Sequence, residues 1–373
     1  MNIDLLVFGE DWGGHPSSTQ HLMKHLLADN EVLWVNSLGL RRPRMNLRDM
    51  GRIWNKLKAL FNAPTPNLTG LHPCLVNPMA LPFPGSSIAR TVNKELLTKK
   101  LKPYLTQQNK APLLWTSLPS AVDVVGKMGE RAAIYYCGDD FSALDGVDHA
   151  PVAKMEQELV EKCQLIIAAS SKLAEKFPAG KTLVLPHGVD CEMFGQPAER
   201  ASDLPDGPVA GFYGALAGWF DQELYIEVAK RLPHWTFVLI GPAHTDISVL
   251  LKQPNIVWLG PKPHHKLPRY SQHWDVGLLP FLRNEQIEAC NPLKLREYLA
   301  AGSPVVSTEF PALDGYRDLV KVSNVADGFA AAIEEIGQTE KHRELMKEIR
   351  RNRVNRESWT QRAEDLKEML NNL

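Results

Sequence analysis

The chain has 373 residues, of which 44% are hydrophobic and 23% charged, and 42 Lys and Arg side chains nearly balance 43 Asp and Glu side chains. This composition excludes bulk disorder, the near-zero charge argues against general nucleic-acid binding, and the length predicts two domains of about 100–200 residues each. No apolar run reaches the ~18 residues that cross a membrane, and the first residues lack the basic region of a secretory signal. Five widely spaced cysteines without a CxxC pair predict a cytoplasmic protein with neither a disulfide framework nor a zinc site.

In the first half of the chain, short β-rich runs alternate with helical patterns, as in parallel α/β units. The predicted strands are 4–8, 32–35, 113–116, 132–137, 165–169 and 182–185. The predicted helices are 19–28, 88–107, 152–162 and 171–177. The stretch that follows, 195–208, is polar and rich in Pro and Gly, has no periodicity and is predicted as a linker.

The same alternation starts again after this stretch. The predicted strands are 209–213, 236–240, 256–259, 276–279 and 304–307, and the predicted helices are 221–232, 264–273, 292–301, 328–336 and 340–351. We therefore expect an α/β protein with two Rossmann-like lobes, 1–194 and 209–355. Ligands of such sheets bind at the carboxyl ends of the strands, so the cleft between the lobes is the expected site.

The most informative segment is CNPLKLREYLAAGSPVVST, residues 290–308. Asn291 is a good N-cap, Pro292 suits the first helical position, and a free helix N-terminus favours an anion. Lys294 lies in the first turn, where a cation is unfavourable unless an anion binds there, and Glu297 lies on the same helical face. The alternative is a capped amphipathic helix with a Lys–Glu surface pair.

This segment resembles the donor-site helix of GT-B glycosyltransferases of the retaining family 4, also named group 1. VLPHGVD, which ends at Asp190, DVGLLP at 275–280 and GFYG at 211–214 are similar to further motifs of that family, in the same order. The resemblance implies a GT-B fold with an inter-lobe cleft and a C-terminal helix, 356–373, that packs back on the first lobe. It also implies transfer of a sugar from a nucleotide-diphosphate sugar to a glycan or lipid-linked acceptor, with retention, in bacterial surface polysaccharide synthesis. No metal or other cofactor is expected.

The resemblance also implies roles for single residues. Glu297 would bind the nucleotide ribose, and Lys294 would hold the diphosphate and carry much of the catalysis. Further expected donor contacts are the backbone of Asn291 and Leu293 at the diphosphate, Gly214 at the phosphates, Lys262 in the loop 260–263 beside the base, and Glu288 or Glu285 at the sugar.

In the first lobe, Gly13 and Gly14 permit a turn that approaches the donor closely. His15 beside them is a candidate contact to phosphate or acceptor, or else an ordinary loop histidine. Asp140 at a strand end is a candidate base or acceptor contact. His187, near the expected hinge, would contact the sugar or form a hinge hydrogen bond. The resemblance requires no dedicated base, since the leaving diphosphate accepts the acceptor's proton.

The segment 40–61 is strongly basic, with apolar residues at helical spacing. It is predicted either as a membrane-surface helix or as a helix that packs its apolar face on the domain. The residues of this expected membrane or acceptor patch are Arg41, Arg42, Arg48, Arg52, Trp54 and Lys56. The first alternative places the protein at the inner face of the plasma membrane. A nucleotide-sugar epimerase of the same fold and a non-catalytic sugar-nucleotide-binding protein are the competing functions.

Overall fold

The computed structural model describes residues 3–14, 16–37, 71–81, 83, 85–106, 109–142, 148–338, 343–371 and 373. The chain forms two compact units: Met1–Leu185 with Ala363–Leu373, and Pro186–Arg362. The stretch predicted as a linker, 195–208, lies in the second unit. Its residues Ala201 and Leu204 are buried and join the core of that unit, so this polar segment still has an apolar anchor.

The first unit is built on a seven-stranded parallel sheet in the order β3-β2-β1-β4-β5-β6-β7. Its strands are β1 (Leu5–Phe8), β2 (Val32–Val35), β3 (Cys74–Val76), β4 (Leu113–Thr116), β5 (Ala132–Cys137), β6 (Leu165–Ala168) and β7 (Thr182–Val184). Its helices are α1 (Ser18–Leu26), α2 (Ser87–Leu105), α3 (His149–Lys162) and α4 (Ser171–Ala174), with 3-10 turns at Pro119–Asp123 and Ala179–Lys181. The central strands are continuous apolar runs because they are buried on both faces.

The second unit has a six-stranded parallel sheet in the order β10-β9-β8-β11-β12-β13. Its strands are β8 (Val209–Tyr213), β9 (Thr236–Ile240), β10 (Ile256–Trp258), β11 (Val276–Leu279), β12 (Val305–Ser307) and β13 (Val320–Val322). The helices are α5 (Cys191–Gly195), α6 (Gln222–Arg231), α7 (Pro268–Ser271), α8 (Glu285–Ala289), α9 (Leu293–Ala301), α10 (Ala326–Gln338) and α11 (Arg343–Asn355). The last helix, α12 (Trp359–Leu370), begins in this unit, and its residues from Ala363 onward belong to the first unit. Three 3-10 turns are Leu250–Lys252, His264–Lys266 and Pro311–Tyr316.

In each sheet the strand order reverses at the centre, between β1 and β4 in the first unit and between β8 and β11 in the second. The loops that leave the carboxyl ends of such strand pairs run in opposite directions and leave a crevice between them. In the second unit this places the residues after β8, beginning with Gly214, at the position where a ligand is expected.

The predicted strands agree with the structure within one residue at each end, but the three-residue strands β3 and β13 and the short helices α5 and α8 were not predicted. The helix predicted at 264–273 is wrong as one element. A 3-10 turn, His264–Lys266, is followed by the separate turn α7, because Pro268 has no N–H to continue the helical ladder.

Among the described helices, none combines the length and the apolar character that a bilayer crossing requires. Within the same described ranges, no three His, Cys, Asp or Glu side chains gather into a group that could hold a metal ion.

Candidate functional site

The helix α9 begins without a side-chain cap. Pro292 occupies the N-cap position and makes no side-chain hydrogen bond to the helix. The capping role predicted for Asn291 is wrong, because Asn291 lies one residue too early and its Oδ1 accepts instead from Arg296 Nη1 at 2.5 Å. The first N–H groups of a helix have no intrahelical acceptor, and the helix dipole is positive at this end. The start of α9 is therefore suited to an anion.

Lys294 lies in the first turn of α9 and packs on Gly214, the residue that follows β8. A Cβ at position 214 would stand 2.1 Å from Lys294 Cε, and the φ of Gly214 is +140°. The Lys294 ammonium lies 5.3 Å from the centre of the Trp219 ring, within the range of a cation–π contact. Glycine is thus required at 214 to make room for Lys294, in addition to the expected close approach of a ligand.

Glu297, one turn further along α9, is only 7% exposed. Its Oε1 lies 2.7 Å from Nε2 of His264, which stands in the 3-10 turn after the loop 260–263. Because an ionised carboxylate only accepts, His264 is the donor. The ring of Phe194 packs against His264 edge to face, with 5.6 Å between the ring centres, and helps to fix its orientation. The carboxylate is therefore held in place by a partner from another loop.

Tyr213, the last residue of β8, is buried next to the same carboxylate. Burial raises the pKa of Tyr213 well above its usual value, and the nearby charge of Glu297 adds to this effect, so the hydroxyl keeps its proton. The Tyr213 ring stacks on Trp274. The backbone N–H of Tyr213 donates to the hydroxyl of Tyr298 on α9 at 3.1 Å. The end of β8 and the helix α9 are thereby joined at the site.

The inner face of α9 carries a buried ion network. Arg296, 4% exposed, donates from Nε to Glu357 at 2.6 Å, and Arg353 and the Tyr316 hydroxyl donate to the same carboxylate. Burial acts to raise the pKa of Glu357, but the Arg296 guanidinium and the Tyr316 hydrogen bond outweigh it and hold the pKa below its usual range. This network fixes the helix that carries Lys294 and Glu297.

The C-terminal end of α9 is also held. Gly302 ends the helix in the left-handed conformation, with φ +85°, as predicted. Arg350 and Arg351 on α11 donate to the carbonyl oxygens of Gly302 and Ala301, at 3.1 Å and 3.3 Å. Cations at these carbonyls are favoured by the negative end of the helix dipole.

A family model described as "Glycosyl transferases group 1" matches residues 207–371, the part of the chain that contains this site. This part of the chain is therefore similar to group 1 glycosyl transferases. The chain is also 29% identical over 293 residues to the putative teichuronic acid biosynthesis glycosyltransferase TuaH of Bacillus subtilis (strain 168), a match that covers 70% of this chain and 73% of TuaH.

Solved structures share the fold over the whole length. HepE of Anabaena, in complex with UDP and glucose, superposes with a TM-score of 0.70 at 14% identity and covers 100% of both chains. Sucrose-phosphate synthase of Thermosynechococcus elongatus superposes with a TM-score of 0.73 at 15% identity, over 100% of this chain and 99% of that chain. At such low identity the likeness establishes the fold alone, which is GT-B.

Two further expected donor residues have other partners. Lys262 forms an ion pair with Asp203 at 2.6 Å and lies over the Tyr270 ring, and the Glu288 carboxylate accepts from Arg283 at 2.8 Å. Glu285 is exposed in the first turn of α8.

Leu293 is the first residue of α9, so its backbone belongs to the uncapped helix start. His187 is buried in the second unit, with its ring centre 6.5 Å from that of Trp359.

In the first unit, the loop after β1 is held by Gln20, whose Oε1 accepts from Gly13 N at 3.2 Å. Gly13 has a φ of +81°, and Gly14 N donates to Asp11 O. His15 lies outside the described residues. So does the predicted membrane or acceptor patch, which consists of Arg41, Arg42, Arg48, Arg52, Trp54 and Lys56.

Asp140, a candidate base, is bound in an ion pair. Burial acts to raise the pKa of Asp140, but hydrogen bonds from Lys176, at 2.5 Å, and from Ser142 outweigh it and keep the pKa below its usual range. A carboxylate with a lowered pKa and an ammonium partner is a weak proton acceptor, so the local geometry does not favour Asp140 as a base.

His264, Trp219 and Tyr213 were not predicted from the sequence as site residues. His264 follows the loop predicted to flank the base, so its place in the chain offered a signal. Trp219 and Tyr213 offered none, because an aromatic residue after or within an apolar strand most often belongs to the core.

Proposed function

We propose that the protein transfers a sugar from a nucleotide-diphosphate sugar to a glycan or lipid-linked acceptor, in the synthesis of a bacterial surface polysaccharide. The observation that carries this proposal is the seating of Lys294 on Gly214 at the uncapped start of α9, with Glu297 one turn further along. A cation and a helix N-terminus suit a diphosphate, and a buried carboxylate suits vicinal hydroxyl groups.

For the donor, we propose a uridine diphosphate sugar. Support comes from the solved structure of HepE, which shares the fold and holds UDP and glucose. In this proposal Lys294 and the N–H groups at the start of α9 bind the diphosphate. The Glu297 carboxylate, oriented by His264, accepts hydrogen bonds from the ribose hydroxyls.

For the chemical step, we propose transfer with retention and without a metal ion. The acceptor hydroxyl oxygen forms a bond to the anomeric carbon while the bond from that carbon to the β-phosphate oxygen breaks, on the same face of the sugar. The hydroxyl proton passes to the leaving phosphate oxygen, so no protein base is needed. Lys294 and the helix N-terminus stabilise the negative charge that develops on the diphosphate.

For the acceptor, we propose a glycan or a lipid-linked glycan at the inner face of the plasma membrane. The relative TuaH is described as a teichuronic acid biosynthesis glycosyltransferase, and the segment 40–61 has the basic, amphipathic sequence of a membrane-surface element.

The donor site is tested with Lys294→Met and Glu297→Gln, which keep side-chain size and remove charge. The matched controls, Lys230→Met and Glu335→Gln, alter exposed residues of the same unit. We expect each site variant to weaken UDP binding about tenfold or more by titration calorimetry, a loss of roughly 1.4 kcal/mol, and Lys294→Met to slow UDP-sugar turnover about a hundredfold. The controls should match the wild type.

Unchanged UDP affinity in both site variants would refute the assignment of the donor site. Failure of the wild-type protein to bind any of UDP, GDP, ADP and dTDP would refute the proposed glycosyltransferase activity. Turnover that continues in the presence of EDTA supports the metal-free mechanism. If EDTA stops turnover and added Mg²⁺ or Mn²⁺ restores it, the metal-free mechanism is contradicted.

A further inference from the structure

An unusual concentration of exposed apolar side chains lies in the first unit, between residues 71 and 96. The side chains of Ile88, Val92 and Leu96 on α2 are 76%, 38% and 40% exposed. The four others precede the helix: Leu71, Met79, Leu81 and Phe83. Single exposed apolar residues are ordinary, but a cluster of this size marks an interaction surface.

The three helical residues share one face of α2. They follow one another at intervals of four, so their side chains form a row along the helix. Ala89, Leu97 and Leu101 are the buried residues of α2, and Leu97 and Leu101 lie opposite that row. The helix thus has two apolar stripes, one that packs in the unit and one that faces solvent.

The chain before α2 extends this surface. The backbone of Leu81 is fixed to Asn93 on α2, which accepts from its N–H at 2.6 Å and donates to its carbonyl oxygen at 3.0 Å. Phe83 O accepts from Ser86 N at 3.0 Å at the start of the helix. Asn93 is next to Val92, so the loop backbone at Leu81 lies against α2 next to the helical row. We name Leu81, Phe83, Ile88, Val92 and Leu96 the α2 surface.

Positive charge follows the α2 surface. The row 88, 92, 96 continues with Lys100, and Lys99 and Lys102 are exposed on the same side. Glu95, the only acidic residue of α2, forms an ion pair with Lys94 at 3.6 Å. An exposed apolar row that ends in lysines is the pattern of a helix that lies on a membrane of anionic lipid.

On the inner side, α2 is anchored firmly. Arg90 donates to both Asp123 and Glu158, with shortest N···O distances of 2.6 Å and 2.5 Å. These bonds fix the rotation of the helix, so the exposed row is not available to turn inward. An ordered apolar row loses little side-chain and backbone entropy on docking.

We propose that the α2 surface docks the first unit on an anionic lipid bilayer, with Leu81, Phe83, Ile88, Val92 and Leu96 in the interfacial layer and Lys99, Lys100 and Lys102 at the lipid headgroups. This docking rests on the proposed lipid-linked acceptor for its purpose. The lysines favour a lipid surface over a second copy of the chain, because the only acidic residue of α2, Glu95, is already paired with Lys94.

The experiment measures co-flotation of the full chain with vesicles of phosphatidylcholine, with and without phosphatidylglycerol. The variant Ile88→Ser/Val92→Ser/Leu96→Ser removes the apolar row. Val249→Ser/Leu251→Ser, at exposed apolar positions of the second unit, is the control. We expect the wild type and the control to float with the anionic vesicles, and the bound fraction of the triple variant to be at least about tenfold lower. Lys99→Glu/Lys100→Glu should abolish the preference for phosphatidylglycerol and the salt dependence of binding.

The proposal is overturned if the wild-type protein does not float with anionic vesicles, or if the triple variant floats as well as the wild type. It is also overturned if light scattering shows a wild-type dimer that the triple variant dissociates. Unchanged UDP affinity and an unchanged urea midpoint show that the variants are folded. UDP binding and flotation are separate measurements. If the wild-type protein floats with the vesicles but does not bind UDP, the proposed function is refuted and the membrane docking of the α2 surface is supported.

Discussion

Lys294 occupies a position that helix energetics disfavour, and the structure shows how it is kept there. Its stem fills the space above Gly214, and its ammonium lies near the face of Trp219. A cation in the first turn opposes the helix dipole and is stabilised when an anion binds. The position is therefore suited to a negative ligand, and it lies next to Gly214, at the carboxyl end of β8.

Gly214→Ala tests the packing of Lys294 on Gly214. The new Cβ would stand 2.1 Å from Lys294 Cε, and a φ of +140° is strained for alanine, so Lys294 must move. We expect UDP affinity to fall about tenfold and the free energy of unfolding to fall by about 1–3 kcal/mol. Calorimetry and urea unfolding measure the two effects. Gly218→Ala is the control, because nothing lies within 4 Å of its added Cβ. Equal UDP affinity in both variants would contradict the assignment.

In the proposed donor site, His264 would act on the ligand through Glu297. His264→Phe removes the hydrogen bond to the carboxylate, which is worth about 0.5–1.5 kcal/mol, so UDP affinity should fall roughly two- to tenfold. His264→Gln, which retains an N–H donor, should recover part of the loss. Inorganic pyrophosphate lacks a ribose, so its affinity should not change. A parallel loss of pyrophosphate affinity would show that His264 serves the phosphates or the fold instead.

The placement of Lys294 and Glu297 one turn apart on a single helix could be predicted from the sequence, because helical spacing is a local feature. Their roles toward a ligand stay predictions. His264 could not be predicted, since its contact with Glu297 depends on how the loop 260–263 returns to α9, 33 residues away in sequence. The pairs Lys262–Asp203 and Asp140–Lys176 likewise join residues that lie 59 and 36 positions apart in sequence. Sequence identifies a charged side chain, whereas the fold decides which opposite charge meets it.

The helix α9 is the element that joins the site to the core. Its start is open, its inner face is bound to Glu357, and its end is held by two arginines of α11. A helix held at these points keeps Lys294 and Glu297 in fixed positions before a ligand arrives, which lowers the entropy cost of binding.

Glu357→Gln tests the inner attachment. Removing one partner of a buried ion network leaves charge unpaired and costs about 3–5 kcal/mol, so urea unfolding at neutral pH should show a loss of this size. The folded-state pKa of Glu357 lies below its unfolded value, so its contribution is complete above about pH 4.3 and is lost as the pH falls through the folded pKa. The stability of the wild type should thus fall more steeply on acidification than that of the variant. If the unfolding free energies of the wild type and the variant fall in parallel with pH, the stabilising role of the Glu357 carboxylate is refuted.

At the level of elements, the strands were predictable because short apolar runs between turn signals describe buried parallel strands. The stretch 195–208 was not, since its composition is that of a linker while Ala201 and Leu204 pack in the second unit. The cap of α9 was misplaced by one residue because Asn291 has a better partner in Arg296, and that partner depends on tertiary structure.

The whole molecule has an uninterrupted second unit and a first unit made of two pieces of chain. Residues 363–373 return to the first unit, where Lys367 pairs with Asp29 at 3.0 Å and Arg131 donates to the carbonyl of Leu373 at 2.5 Å. Leu366 in this piece is fully buried.

Leu366→Ala should destabilise the protein by about 2–5 kcal/mol through the cavity it leaves. Amide hydrogen exchange should accelerate in the first unit, including α1 and the residues near Asp29, more than in β8 and β9. Leu345→Ala, at a position that is 57% exposed, is the control and should change neither quantity appreciably. Faster exchange confined to the second unit would contradict the contribution of this piece to the first.

The two-piece first unit sets the order in which the protein matures on the ribosome. After residue 185 is added, about 180 further residues are synthesised before the last piece of that unit exists. At about 5–20 residues per second, the nascent first unit stays incomplete for on the order of ten to forty seconds. The second unit is continuous and is able to finish earlier, although it begins later. Until residues 363–373 are synthesised, the surface that they cover in the first unit stays exposed on the nascent chain.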